Sequence, residues 1–405
     1  MKLLVTGGCG FIGSAFCRRL IATGTTLVNL DILYPCSTRE LQESSGSYTF
    51  IRGGLKDRGL LDGLLRQHEI DTVVHFAAQS HVDTSFTNPM LYTQDNVVGT
   101  HTLLEACRDY GLIARFIHIS TDEVYGENIG EGAFSETSLL KPTNPYAASK
   151  AAAEMFVHSY VHSYSFPAIV IRSNNIYGIG QYDEKVIPKF AFQLLDGKPL
   201  AIQGSGAQLR SFLHVEDAVD AVLCVLEKGS VGAVYNISSE DEISIRDLAS
   251  RMIQMLKPGD PVDQWITYVA DRNFNDKRYL IESEPLKQLG WKQLWPFEKG
   301  LVETIEWYKR VDRLYWVGAD LVGADLGKQR TALLWGSKGW IGSQFIKVLE
   351  AKGFTVVGAL SRADNRLAVL DELDRIKPDH LVCMIGRTHG PGYTTIDSLD
   401  QEGKL

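Results

Sequence analysis

Three glycines at fixed spacing constrain this chain more than any other feature. Gly7, Gly10 and Gly13 follow a short apolar segment, residues 2–6, and open an amphipathic stretch that ends near Gly24. The first glycine permits a tight turn, the second lets the backbone approach a pyrophosphate, and the third lets a helix pack closely on a strand. A phosphate can then sit on the free N–H groups and positive end of that helix. The next apolar segment, 26–31, closes on Asp31. A carboxylate there accepts a ribose 2′-hydroxyl and repels a 2′-phosphate, which favours NAD over NADP. Glycines alone also suit a plain turn, and Asp31 alone suits a turn before Pro35. Strand, loop, helix and acid in that order predict a dinucleotide site.

The pattern continues. Apolar runs at 71–77, 114–120 and 168–172 are separated by helical patterns, notably 96–110 and 145–164. Such alternation predicts an α/β fold, a Rossmann-like doubly wound parallel sheet covered on both faces. After about residue 175 the elements shorten, among them the amphipathic 215–227 and 297–310. This reads as a smaller C-terminal substrate lobe over the carboxyl edge of the sheet, where α/β folds bind ligands. Residues 1–310 thus form one domain with its substrate lobe largely within 175–310, and 311–330 reads as a linker.

A strand–glycine–helix pattern then restarts. Gly336, Gly339 and Gly342 repeat the spacing of the first loop, and the following strand, 354–360, ends in Ser361 and Arg362. An arginine there can accept a 2′-phosphate, which points to NADP; an exposed loop arginine is the alternative. Residues 331–405 have room for roughly three strands and two helices, with no YxxxK after the loop. They predict a partial second Rossmann-like, dinucleotide-binding domain without catalytic machinery.

Composition excludes several function classes. The 405 residues are 44% apolar and carry a net charge of −8, which argues against disorder and gives no electrostatic footprint for nucleic acid. No apolar run approaches the roughly 18 residues of a membrane span. The start turns glycine-rich too early for a signal peptide. The six cysteines lack metal or redox spacing, so they read as reduced thiols in a cytoplasmic protein with no metal site.

Candidate chemistry lies after two of the strands. Tyr146 and Lys150 follow Asn144-Pro145, a helix cap and a first helical residue, and their spacing puts them on one helix face. An ammonium about 4 Å from a phenolate is worth roughly 4 kcal/mol at an effective dielectric of about 20, which predicts a phenol drawn toward neutrality and able to act as a general base. Ser120-Thr121-Asp122-Glu123-Val124-Tyr125-Gly126 ends the strand 114–120 and places two acids at the sheet's carboxyl edge. Adjacent carboxyls can divide acid and base work if their surroundings separate their pKa values; a solvated polar turn is the plain alternative.

These segments carry a family resemblance. TGGCGFIGS, HFAAQSHVDTS (75–85), STDEVYG, NPYAASK (144–150), RSNNIYG (172–178) and DRNFNDKRY (271–279) occur in that order. Together they resemble the nucleoside-diphosphate-glucose 4,6-dehydratases, extended short-chain dehydrogenase/reductase proteins, over about residues 1–310. They look most like the UDP-glucose 4,6-dehydratase part of rhamnose synthases; the bacterial dTDP-glucose enzymes usually carry Glu at the position of Gln79. Trp340-Ile341-Gly342 and residues 386–390 resemble the start of a 3,5-epimerase/4-reductase.

The resemblance implies NAD, tightly bound and recycled, held at Gly7, Gly10, Phe11, Ile12, Gly13, Asp31, Leu55, Ala77, Tyr146 and Lys150. It implies dehydration of UDP-glucose or dTDP-glucose to a 4-keto-6-deoxy sugar, with Thr121, Asp122, Glu123, Tyr146 and Lys150 catalytic. Ser80, Thr121, Asn175, Lys185, Arg210 and Arg278 are the implied substrate contacts, the two arginines meeting the diphosphate. A homodimer is usual for the family. Gly54 stands where the family commonly has an Asp that meets the adenine, so a weaker hold on NAD is expected. A 4-epimerase or decarboxylase of the same fold would share the loop and YxxxK but lack the acid pair. A non-catalytic NAD-binding scaffold would carry degenerate motifs. His75 and His81 read as structural.

Overall fold

The computed structural model describes residues 1–130, 132–272, 274–316, 330–351, 354–363, 365–378 and 380–383. Residues 386–390 and most of the expected linker lie outside these. The chain divides into two compact units, Met1–Ala319 and Asp320–Leu405.

In chain order the strands of the first unit are β1 (Leu3–Thr6), β2 (Leu27–Asp31), β3 (Tyr48–Arg52), β4 (Thr72–His75), β5 (Arg115–Thr121), β6 (Ala168–Ser173), β7 (Asn175–Tyr177), β8 (Leu200–Gln203), β9 (Leu209–His214), β10 (Val234–Ile237), β11 (Glu242–Ser244) and β12 (Ile266–Val269). Seven of them form one sheet in the order β10-β6-β5-β4-β1-β2-β3. Every pair in it is parallel. The order reverses between β1 and β4, which is where doubly wound sheets open a ligand crevice. The apolar strands β1, β4 and β6 are buried throughout because helices cover both faces. One face packs helices Phe11–Ala22 and Val215–Lys228. The other packs Arg58–Gln67, Gly99–Tyr110 and Pro145–Tyr164.

A separate core, including Phe190, Leu248, Met252 and Leu301, fills the substrate lobe. The lobe's strands make a three-stranded sheet, β11-β9-β7, and a pair, β12-β8. The linker reading of 311–330 does not hold at its start. Residues 313–315 form a short 3₁₀ turn, and Trp316, buried among Phe192, Trp307 and Tyr308, belongs to the first unit.

In the second unit β13 (Arg330–Trp335), β14 (Phe354–Gly358) and β15 (His380–Cys383) form a parallel sheet in the order β14-β13-β15. Helices Trp340–Ala351 and Arg366–Ile376 connect them. Its glycine loop reproduces the first. Gly336 has a φ of 82° and accepts the Gly339 N–H at 3.0 Å, as Gly7, at 73°, accepts that of Gly10 at 3.0 Å.

Candidate active site

A cleft runs along the carboxyl edge of the large sheet. One end is walled by Gly7, Gly10, Asp31, Ile32, Gly54, Leu55 and Ala77. Its middle holds Phe11, Ile12, Gly13, Ser80, Thr121, Asp122, Glu123, Tyr146 and Lys150. Its far end holds Arg210, Arg272 and Tyr279. Asn175 and Lys185 line both the middle and the far end.

The glycine loop leaves no room for side chains. A Cβ on Gly7 would stand 2.6 Å from the Ala77 backbone nitrogen, and one on Gly13 would stand 2.3 Å from the Gly7 carbonyl oxygen. No side chain caps the helix that begins at Phe11, so its first N–H groups are open to an anionic ligand. Asp31 Oδ2 accepts the Cys9 N–H at 2.9 Å, and its Oδ1 accepts the Leu33 N–H at 2.7 Å and the Ser37 hydroxyl at 3.3 Å. Burial pushes this carboxyl up while those donors oppose the shift. Buried Asn29 accepts the Gly8 N–H at 3.0 Å and donates to Tyr48 at 2.9 Å, a support that periodicity could not reveal. A bare loop, an open helix end, an acid and apolar walls at Leu30, Ile32 and Leu55 fit NAD.

At Gly54 the absent carboxylate leaves a position whose Cβ would touch Ile32 at 3.3 Å. Nearby, Asp95 gathers Tyr34 at 3.0 Å, Lys56 at 3.0 Å and Gln79 at 2.9 Å. The amide of Gln79 therefore has a carboxylate to donate to, which a glutamate there would not.

The acid pair sits in a 3₁₀ turn, Asp122–Tyr125, directly after β5. Thr121 donates to Asp122 Oδ1 at 3.2 Å, and the Asn174 amide donates to Asp122 Oδ2 at 2.7 Å. Asn144 caps the helix Pro145–Tyr164 by accepting the Ala147 N–H at 2.8 Å, and its amide donates to Glu123 Oε2 at 3.0 Å. One residue thus fastens the Tyr146 helix to the acid pair. Burial and then neighbouring Glu123 push the Asp122 carboxyl up to about 7. Burial also pushes Glu123 up, opposed by Asn144.

The expected lowering of the Tyr146 phenol is not what this cavity does. Burial, then Glu123 and Asp122, push it up, while a hydrogen bond to Thr121 works the other way. Lys150 is also buried, its own pKa lowered to about 8, and its ammonium donates to the Ile119 carbonyl at 2.6 Å. In a site this buried, desolvation outweighs the pairwise attraction.

On the substrate side, Arg210 stacks on Tyr279 at 4.7 Å and donates to Asn275 at 3.2 Å, with no ion pair among the described residues. Asn175 Oδ1 is buried without a hydrogen-bond partner. Lys185 donates to the Ser80 carbonyl at 2.5 Å. The Arg278 guanidinium forms a two-pronged pair with Glu242, at 2.7 and 2.8 Å, and is not among the residues lining the far end of the cleft. Arg272, six residues earlier in the same motif, does line it, paired with Asp83. His75 bridges Thr6 and Thr100 at 2.7 and 2.8 Å, a structural role. His81 contacts Thr84 at 2.7 Å and borders the far end of the cleft.

A family model described as GDP-mannose 4,6 dehydratase matches residues 4–304. The chain belongs to this family. As a dehydratase-family member it is 45% identical over 317 residues to the dTDP-D-glucose 4,6-dehydratase of Mus musculus, covering 76% of this chain and 89% of that one. It is 38% identical over 450 residues to a trifunctional UDP-glucose 4,6-dehydratase/UDP-4-keto-6-deoxy-D-glucose 3,5-epimerase/UDP-4-keto-L-rhamnose-reductase of Arabidopsis thaliana, covering 99% of this chain and 67% of that protein. Among solved structures, the dTDP-glucose 4,6-dehydratase DesIV of Streptomyces venezuelae, with NAD and TYD bound, aligns with a TM-score of 0.74 at 37% identity. That match covers 78% of this chain and 99% of that one.

Proposed function

We propose that the chain converts a nucleoside-diphosphate-glucose, UDP-glucose or dTDP-glucose, to the 4-keto-6-deoxy sugar nucleotide, with NAD held by the first glycine loop. The observation that carries this is the buried Asp122–Glu123 pair beside Tyr146 and Lys150 in one cleft. Gly7, Gly10, Gly13 and Asp31 would hold NAD, which when bound would supply reversible hydride-acceptor chemistry beside the sugar. Tyr146 takes the C4 hydroxyl proton, and Lys150, one helical turn further on, places a buried cation in the same cleft. Thr121, which lines the cleft with Tyr146, steadies the C4 oxygen. Once C4 is a ketone the C5 proton is acidic, and Glu123 removes it. Asp122, half protonated near neutrality, donates to the departing C6 hydroxyl. Arg210, Asn175 and Lys185 receive the substrate's nucleotide end, and guanidinium geometry suits a diphosphate.

A 4-epimerase needs only the redox pair, so the buried acids favour dehydration over that reading. Mass spectrometry of reactions with UDP-glucose and dTDP-glucose side by side tests the assignment. A product lighter by one water is expected, and an unchanged mass would defeat it.

Three further assignments go with this one. Met90, Val98, Met155 and Tyr164 are exposed on neighbouring helical elements, which supports a homodimer through that face; light scattering reads the mass. Six free cysteines suit a reducing, cytoplasmic setting. Among the described residues no helix is long and apolar enough to cross a membrane. The Gly336 loop, with Arg362 after β14, is assigned to NADP, which calorimetry with NAD and NADP in parallel would check.

A further inference from the structure

Residues 312–316 follow the helix Phe297–Tyr308 and lie beyond the family match. They reach two walls of the cleft at once. Toward the cofactor wall, Trp316 makes an antiparallel bridge to Thr38. Arg39 donates its N–H to the Tyr315 carbonyl at 3.0 Å and its Nε to the Trp316 carbonyl at 3.2 Å. The Tyr315 hydroxyl bonds Glu40 at 3.2 Å. Toward the substrate lobe, Trp316 Nε1 donates to the Gly180 carbonyl at 3.1 Å, and its ring meets Tyr182 edge-on at 5.7 Å. Gly180 is itself pressed against Tyr315, whose hydroxyl would stand 3.2 Å from a Cβ there.

Both anchored segments belong to the cleft. Cys36 and Ser37 line the cofactor end, and Ser37 donates to Asp31. The Thr38 N–H donates to the Cys9 carbonyl, inside the glycine loop, at 2.7 Å. Gln181 and Tyr182 line the middle of the cleft opposite them. Trp316 is 2% exposed and Tyr315 half-buried, so the end of the segment is packed in place while 312–314 stay at the surface.

We propose that residues 312–316 form a clasp that retains NAD through successive turnovers, with Trp316 as its pin. A reaction that returns its cofactor to the starting state gains from slow release, and release requires the 36–40 segment to part from the glycine loop. The clasp blocks that parting by tying 36–40 to 180–182. This inference rests on the reading of the cleft as an NAD site.

The test uses the full chain with Trp316→Ala, Trp316→Phe and, as a control for lost core packing, Met252→Ala in the substrate lobe. NAD retained after gel filtration is measured by chromatography of the denatured protein, and its release rate by dilution into an NAD-consuming coupled assay. Trp316→Ala, which removes both the ring packing and the Gly180 hydrogen bond, is expected to release NAD at least about tenfold faster. Trp316→Phe, which keeps the ring but loses the Gly180 bond, should fall between, and it decides the matter if Trp316→Ala does not fold. Met252→Ala should lower the melting temperature while leaving release unchanged. Wild-type release from the Trp316 variants, or equally fast release from Met252→Ala, overturns the clasp while leaving the NAD site standing. A wild-type chain that binds no NAD overturns both.

Discussion

Asp122 and Glu123 are neighbours in sequence, yet different partners hold them. Asp122 takes Asn174 and Thr121, and Glu123 takes Asn144. Replacing either acid with its amide, Asp122→Asn or Glu123→Gln, should slow elimination by about 10²–10⁴-fold. NAD binding should persist, as judged by product mass and by nucleotide retained on the protein. The acid must be protonated to act, and its carboxyl lies at about 7. Elimination should therefore hold at lower pH and fall as pH rises through that value. The groups facing Asp122 are Glu123, Arg210, Tyr146, Thr121 and Asn174. The Asn174 donor favours the charged form, so Asn174→Leu should move the falling limb to higher pH. An unmoved limb would show that Asn174 does not tune the acid. The acids, Tyr146 and Lys150 are legible in the sequence because each is a chemical type at a telling spacing. Asn174 and the second hydrogen bond of Asn144 are not, since an asparagine's partners exist only once β6 and the 3₁₀ turn have met.

The helix Pro145–Tyr164 is fixed by more than its cap. Glu154, one turn beyond Lys150, pairs with Arg172 of β6 at 2.6 Å, and both are buried. Arg172 also donates to the Tyr125 hydroxyl at 2.7 Å, and Tyr125 passes the chain to Asn236 of β10 at 2.8 Å. One guanidinium thus touches both the helix of Tyr146 and Lys150 and the turn of Asp122 and Glu123. Arg172→Met leaves a charge buried without its partner and should cost about 3–5 kcal/mol. Tyr125→Phe removes two buried hydrogen bonds, one of them from a charged guanidinium, and should cost about 2–4 kcal/mol. Urea unfolding of the two variants compares these directly. Helices and strands were readable from period and punctuation, and the acid turn from its place after a strand. The choice between Arg278 and Arg272 was not readable. Both lie in one motif, and only the fold shows Glu242 claiming the first.

At the scale of the molecule, the repeated glycine spacing marks two units, and the structure returns the same turn in both. The first unit has a YxxxK helix after its loop, and the sequence after Gly342 has none. The chain supplied with NAD, NADPH and UDP-glucose should therefore stop at the 4-keto sugar nucleotide. Appearance of a reduced rhamnose nucleotide in the mass spectrum would contradict this. The two loops also differ in how the end of the second strand is secured. In the second unit Glu372, from the helix Arg366–Ile376, holds the Leu360 and Ser361 N–H groups at 2.8 and 2.9 Å, and Arg362 follows them in the chain. In the first unit Asp31 does both tasks, gripping Cys9 of the loop while presenting its carboxylate to the cleft. A single substitution intended to re-engineer the first site for a phosphorylated ribose would cut the fastening of the loop that must hold that cofactor. Coenzyme preference in this unit is for that reason locked by architecture: a redesign has to supply a new acceptor for the Cys9 N–H before it changes the residue that reads the ribose.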